Sequence, residues 1–167
     1  SPRISTKGVD IPYAGKAGDE RRSEMNDSIR RILIMHGGIV TSVGALSGLL
    51  YSLAISGDMP GSVQAWHLAH LQGILTGLLI IAVSSCVSHI RLDAGKSLVM
   101  AVCFIITGYC YAFGPIWGAL FGVRGLFPEM PVANIVMFVS NTVASVSVLA
   151  GLGLLVFGAW RKRTEKV

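Results

Sequence analysis

Four long stretches without Asp, Glu, Lys or Arg divide the chain, over residues 32–57, 59–90, 97–123 and 130–160. They run to 26, 32, 27 and 31 residues, and about 20 apolar residues suffice to carry a helix across a hydrocarbon core. The pattern predicts four membrane-spanning helices over residues 32–56, 62–89, 97–123 and 132–160. Between spans one and two stands Met59-Pro60-Gly61; between three and four stands Phe127-Pro128-Glu129-Met130-Pro131. Both are dense in residues that break helices and turn the chain. The fold class is therefore all-α, an integral membrane four-helix bundle. Residues 1–29 are polar and of mixed charge, without an apolar helical stripe. They read as a solvated, largely unstructured tail with helix only near its end, and without the pattern of a cleaved signal peptide. The transmembrane domain then covers residues 30–163 and a short terminus follows over 164–167.

Composition sharpens this reading. Charged residues make up 14% of the chain and hydrophobic ones 52%, whereas soluble domains carry about 25% charged residues. A soluble enzyme, a nucleic-acid binder and a secreted disulfide scaffold are excluded. The net charge of +5 follows topology rather than a nucleic-acid partner. Of the fourteen Lys and Arg residues, only Arg124 lies outside the tail, the loop between spans two and three, and the C-terminus. The positive-inside rule places both termini and that middle loop in the cytoplasm, as expected of a multi-pass membrane protein with an even number of spans. Cys86, Cys103 and Cys110 all fall within spans, where they read as small apolar core residues.

Small residues recur at four-residue spacing: Gly44 and Gly48, Gly73 and Gly77, then Gly114, Gly118 and Gly122. In lipid such stripes let helix backbones approach closely. Four helices offer few mutual faces, so a chain this rich in small residues is expected to form an oligomer as well.

The polar residues within the spans carry the chemistry, because polar groups in a bilayer are costly and mark function by default. His36 and His89 lie near cytoplasmic ends and His67 near the outer edge, where an imidazole can reach the interface. His70 lies about 12 Å below the outer boundary at helical rise. Counted the same way, Tyr109 on span three and Asn141 on span four fall near mid-membrane, at the level of His70. Gly73, Thr76 and Gly77 continue down span two from it. One level of the bundle would then hold an imidazole, a phenol and an amide beside a glycine stripe that leaves space for a cofactor. Three readings stay open on the residues alone. A zinc site lacks convergent carboxylates or thiols at that depth. Haem needs only one proximal histidine, or two facing ones in a cytochrome, for which His36 and His89 are candidates. A histidine satisfied within the core needs no ligand.

The string Trp66-His67-Leu68-Ala69-His70-Leu71-Gln72-Gly73-Ile74-Leu75-Thr76-Gly77 resembles the second span of a small family of four-span bacterial membrane isomerases, styrene oxide isomerase and hydroxylaminobenzene mutase. Trp66, Ala69 and His70 match the first branch; Ala69-His70-Leu71 with Gly73 match the second. Arg31-Ile32-Leu33-Ile34-Met35-His36-Gly37 resembles the family's opening helix, and Gly108-Tyr109-Cys110-Tyr111 its third-span tyrosine. The run Gly118 to Gly122 and the close Gly158-Ala159-Trp160-Arg161 lean toward the mutase branch. Both branches carry an asparagine where this chain has Thr76, and a hydroxyl cannot reproduce an amide's paired donor and acceptor.

The resemblance implies haem b with its iron on His70, a cofactor pocket that includes Trp66, Gly73 and Gly77, and a homotrimer with haem at subunit interfaces. Tyr109, Thr76 and Asn141 are the candidate catalytic residues. A Lewis-acidic iron would polarise a C–O or N–O bond of a small lipophilic aromatic substrate without net redox change. The expected reaction is the mutase type, arylhydroxylamine to aminophenol, ahead of epoxide to aldehyde. A non-enzymatic membrane cytochrome is the alternative outside the enzyme class.

Overall fold

The computed structural model describes residues 13–59 and 61–160, with side chains from Glu20 onward except Arg22. Four helices follow one another: α1 (Tyr13–Ser56), α2 (Val63–Cys86), α3 (Ala94–Phe121) and α4 (Val132–Trp160). There is no strand among the described residues. Each helix contains a segment long and apolar enough to cross a membrane. The chain is thus an all-α, multi-pass membrane protein.

Local chemistry sets the ends. The Ser62 side chain caps α2 by accepting a hydrogen bond from the Ala65 N–H, filling one of the orphan donors of a first turn. Gly122 closes α3 in the left-handed region at φ 67°, and the Val123 N–H turns back to the Gly118 carbonyl at 3.0 Å. This is the usual glycine C-terminal cap.

α1 differs from expectation. Residues 13–29 are helical rather than mostly unstructured, and at 44 residues α1 is about 66 Å long, twice a hydrocarbon core of about 30 Å. The cause is visible in Met25 and Ile29. Spaced four apart on one face, they pack into a cluster with Ile90 and Leu92 from the turn between α2 and α3. That anchor extends the helix well before the first charge-free stretch. Residues 1–12 and 161–167, which include most of the remaining terminal charge, lie outside the described residues.

In lipid, apolar side chains gain little by leaving one apolar environment for another, so close packing and interhelical hydrogen bonds hold the helices together. The glycines supply the closeness. A methyl group on Gly44 would overlap the backbone of Gly73 and Ile74, and one on Gly77 would overlap Thr41 and the Gly37 carbonyl. α1 and α2 therefore meet backbone to backbone. Val40 of α1 and Ile80 of α2 fill the space left by Gly108 of α3. α4 packs on α3 alone among the helices, at Gly114 against Ser140, Gly118 against Met137 and Gly151 against Phe104. Hydrogen bonds accompany that contact: Ser140 Oγ donates to the Cys110 carbonyl at 2.9 Å, and Tyr111 and Ser145 share one at 2.9 Å. The bundle is consequently open between α2 and α4.

Gly44→Ala is expected to destabilise the fold by about 1–3 kcal/mol, the usual cost of overfilling a packed contact. Gly38→Ala, where a methyl group would meet nothing within 4 Å, is the control. Unfolding midpoints in one detergent check this, and equal midpoints for the two variants would refute the close approach of α1 and α2.

Candidate functional site

His70 projects from α2 against the glycine face of α1. Its Nδ1 lies 2.8 Å from the Gly44 carbonyl oxygen, and a methyl group on Gly48 would fall 2.6 Å from the same nitrogen. A carbonyl can only accept, so Nδ1 carries the hydrogen and donates it. In the neutral ring this leaves Nε2 with its lone pair, and Nε2 has no hydrogen-bond partner among the described residues. The Tyr51 ring lies nearly parallel to the imidazole at 6.5 Å, and His67 stacks on the other ring contact of Tyr51 at 5.1 Å. Orientation, tautomer and ring plane are all fixed by α1. A metal-binding histidine is held in the same way, with one nitrogen tied to a carbonyl and the other left for the metal.

The expected convergence at one level does not occur. Tyr109 faces His36, not His70: its hydroxyl and the His36 Nδ1 are 2.8 Å apart, and the rings meet edge to face at 5.7 Å. His36 precedes Gly44 by eight residues, about 12 Å of helical rise, so one chain leaves the His36–Tyr109 pair beyond contact with His70. The pair sits at the α1–α3 seam and His70 at the α1–α2 seam. Asn141 lies elsewhere again, on a cleft of about 510 Å³ between α2, α3 and α4. Gln64, Gln72, Tyr111, Arg124 and Ser145 share that cleft, and neither His70 nor Tyr109 lines it. Pro115, on the same wall, has no N–H to give the Tyr111 carbonyl one turn earlier.

The glycine stripe also reads differently in three dimensions. Gly73 and Gly77, expected to leave room for a cofactor, are filled by α1; the Gly44 backbone occupies the place a Gly73 side chain would take. The cause is that small residues are what α1 and α2 need to touch. Trp66 is fully buried in a cluster with Ala54 and Ala119, below the turn between α1 and α2. Thr76 is buried on α2 at 8% exposure, within the same helix face as Gly73 and Ile80.

By position His36 reads as an interface histidine or a second haem ligand, and the sequence did not pair it with Tyr109. Ile29, Leu33, Val40 and Ser47 are all buried and recur at helical spacing. His36 stands three after Leu33 and four before Val40, on the edge of that stripe. Its placement toward α3 was legible there. His89, the other candidate for a second axial ligand, bonds within its own turn to Ser88 and the Ser85 carbonyl. No group of three metal-binding side chains exists among the described residues. Cys86, Cys103 and Cys110 are unpaired.

A family model described as styrene oxide isomerase matches residues 29–160, which is the whole of the helical domain apart from the first turns of α1. No individual curated protein matches the chain. The match covers every element that carries His70, Tyr109, Thr76 and Asn141, and the chain belongs to the styrene oxide isomerase family.

Proposed function

We propose that the protein is a haem b-dependent membrane isomerase acting on a small lipophilic aromatic substrate, and that His70 is the axial ligand of the iron. One observation carries the reading: His70 Nδ1 is committed to the Gly44 carbonyl, leaving Nε2 for a ligand in a position set by two helices. Haem needs one such imidazole and tolerates an apolar setting. When bound, it would supply a Lewis acid that polarises a C–O or N–O bond with no net electron transfer.

The chain's own residues have the remaining tasks. Tyr109 donates a hydrogen bond to the substrate oxygen as charge gathers on it. The lipid-facing position of the seams excludes water, which would otherwise trap an electron-poor carbon. Because His70 and Tyr109 lie on different seams of one chain, a neighbouring copy is one way to bring the two seams to a shared site. This supports a homotrimer in which the His70 seam of one subunit meets the His36–Tyr109 pair of the next. Asn141 and the cleft around it then serve substrate passage rather than bond making. The charge asymmetry of the loops supports cytoplasmic termini in a bacterial inner membrane.

The substrate follows from where the branch-specific residues lie. Gly118 packs on Met137, Gly122 caps α3 and Gly158 packs on Leu92; Trp160 ends α4 in an exposed position. Of the residues that lean toward the mutase, Gly118 lines the cleft beside Asn141, whereas Gly122, Gly158 and Trp160 shape helix ends and contacts, and the family match itself is described as styrene oxide isomerase. An aryl epoxide, opened at the benzylic C–O bond and rearranged to an aldehyde with no atom gained or lost, is the first substrate class. An arylhydroxylamine is the second, on the same iron.

Purified, haem-loaded protein given styrene oxide and hydroxylaminobenzene in parallel, without reductant or nicotinamide, is expected to convert styrene oxide to the aldehyde. Conversion of hydroxylaminobenzene alone would reverse the order of substrates. Conversion of neither, with haem demonstrably bound, would replace the isomerase by a cytochrome.

A further inference from the structure

Tyr109 has one proton, and its use depends on which partner receives it. The phenol is 40% exposed at the α1–α3 seam, yet it is not loose. Its oxygen lies 2.8 Å from the His36 Nδ1, and its ring meets the His36 ring at 5.7 Å with planes 79° apart. The helices beneath are held in register. Leu33 and Val40, a turn to either side of His36, are fully buried, and Val40 presses on Gly108, the residue before Tyr109. A phenol at a membrane-facing surface is thereby pinned by a titratable ring from another helix, where an apolar side chain would cost less.

If the Tyr109 hydroxyl donated to Nδ1, its only hydrogen would be spent within the protein. If His36 donates instead, the phenol oxygen is an acceptor there and its own hydrogen points outward. Donation into a hydroxyl also polarises it and strengthens the bond it makes next. We propose that His36 is the positioning residue of Tyr109: its Nδ1–H donates to the phenol oxygen, reserving the phenolic hydrogen for the oxygen atom of the substrate. This rests on the reading of Tyr109 as the donor to substrate. It assigns a function to a second histidine, acting through Tyr109.

The test uses the haem-loaded protein with four variants: His36→Phe, His36→Asn, Tyr109→Phe, and the double variant His36→Phe with Tyr109→Phe. Phe keeps an aromatic ring and removes the donor; the Asn amide N–H can take the place of the Nδ1–H. His36→Phe is expected to lower kcat roughly tenfold, the worth of one ordinary hydrogen bond, with KM little changed. His36→Asn should recover most of that loss, and the double variant should be no slower than Tyr109→Phe alone, since residues acting as one unit are non-additive. A purely structural contact would not be restored by the amide, nor spare KM. Wild-type kcat in His36→Phe, or losses that multiply in the double variant, would overturn the proposal. Full activity in Tyr109→Phe would instead remove the donor reading of Tyr109 on which it stands, and the single variants distinguish the two failures.

A second readout does not depend on turnover. The ultraviolet resonance Raman difference between wild type and Tyr109→Phe isolates the ring-breathing doublet of this tyrosine, whose intensity ratio reports whether the phenol oxygen accepts or donates. An acceptor signature that vanishes in His36→Phe supports the proposal. A strong donor signature in the substrate-free protein overturns it, because the hydrogen is then already given to Nδ1.

Discussion

His70→Ala, purified from haem-replete cells, is expected to lack the Soret band and all turnover, whereas His36→Ala and His89→Ala keep the band. The asymmetry follows from hydrogen bonding. His36 and His89 each present Nδ1 to a partner on the protein, a phenol in one case and a serine hydroxyl and carbonyl in the other. His70 gives its Nδ1–H to a backbone carbonyl of a different helix, which fixes the ring and leaves the lone pair of Nε2 facing away. A bis-histidine cytochrome would behave differently, since loss of either ligand would change the spectrum. Equal Soret intensity in His70→Ala and wild type would defeat the assignment. A finer variant probes the support of the ring. A methyl group at Gly48 would fall 2.6 Å from Nδ1 and 2.7 Å from the neighbouring ring carbon, so Gly48→Ala must turn the imidazole. Disturbing the groups that orient a metal ligand typically costs about 10–100-fold in affinity or activity, and haem titration of Gly48→Ala should show a loss of that order with the ligand itself intact.

Much of the architecture is legible in the residues because the bilayer enforces a simple rule. Every backbone group in the core must be satisfied within its own helix, so an uncharged run of sufficient length can be only one thing. The four spans follow directly, and the ends of α3 and α4 fall within a few residues of the charge boundaries. The rule is silent where water returns. Residues 13–29 carry charges on most faces, and only the spacing of Met25 and Ile29 hints that they continue α1. Depth along a helix is likewise legible, while azimuth is not. His70, Tyr109 and Asn141 fall at similar heights by counting residues, but they point to an α1–α2 seam, an α1–α3 seam and a cleft beside α4. Height comes from 1.5 Å of rise per residue; direction depends on which glycines meet which, and Gly73 could not be matched to Gly44 before the two helices were seen together. The same limitation explains why Gly73 and Gly77 read as cofactor space. A stripe of small residues marks closeness to something, without saying whether that is a porphyrin or another helix.

Tyr109→Phe is expected to keep the Soret band and the KM of wild type while lowering kcat by about 10²–10³-fold, the effect of deleting one hydrogen-bond donor to a developing oxyanion. Two features of the structure set that expectation. The change removes one oxygen atom from a ring whose packing it leaves unaltered, at a position 40% exposed, so folding and haem binding have little to lose. The oxygen also has no other hydrogen-bonding task than its contact with His36, so any loss reports on substrate chemistry and not on a broken core network. Tyr111 supplies the internal comparison. It is two residues away, but its hydroxyl is tied to Ser145 of α4 on the wall of the cleft, and Tyr111→Phe should disturb the α3–α4 contact without a comparable fall in kcat. The split between the two parameters is informative as well. A donor whose bond strengthens only as charge develops lowers the barrier without tightening ground-state binding, so a rise in KM at constant kcat would move Tyr109 from the reacting oxygen to substrate capture. If both variants lose activity equally, neither phenol is special and the assignment passes from the His36–Tyr109 pair to the cleft. If Tyr109→Phe alone collapses while Gly48→Ala loses haem, the α1–α2 and α1–α3 seams act on one reaction, about 12 Å apart along α1.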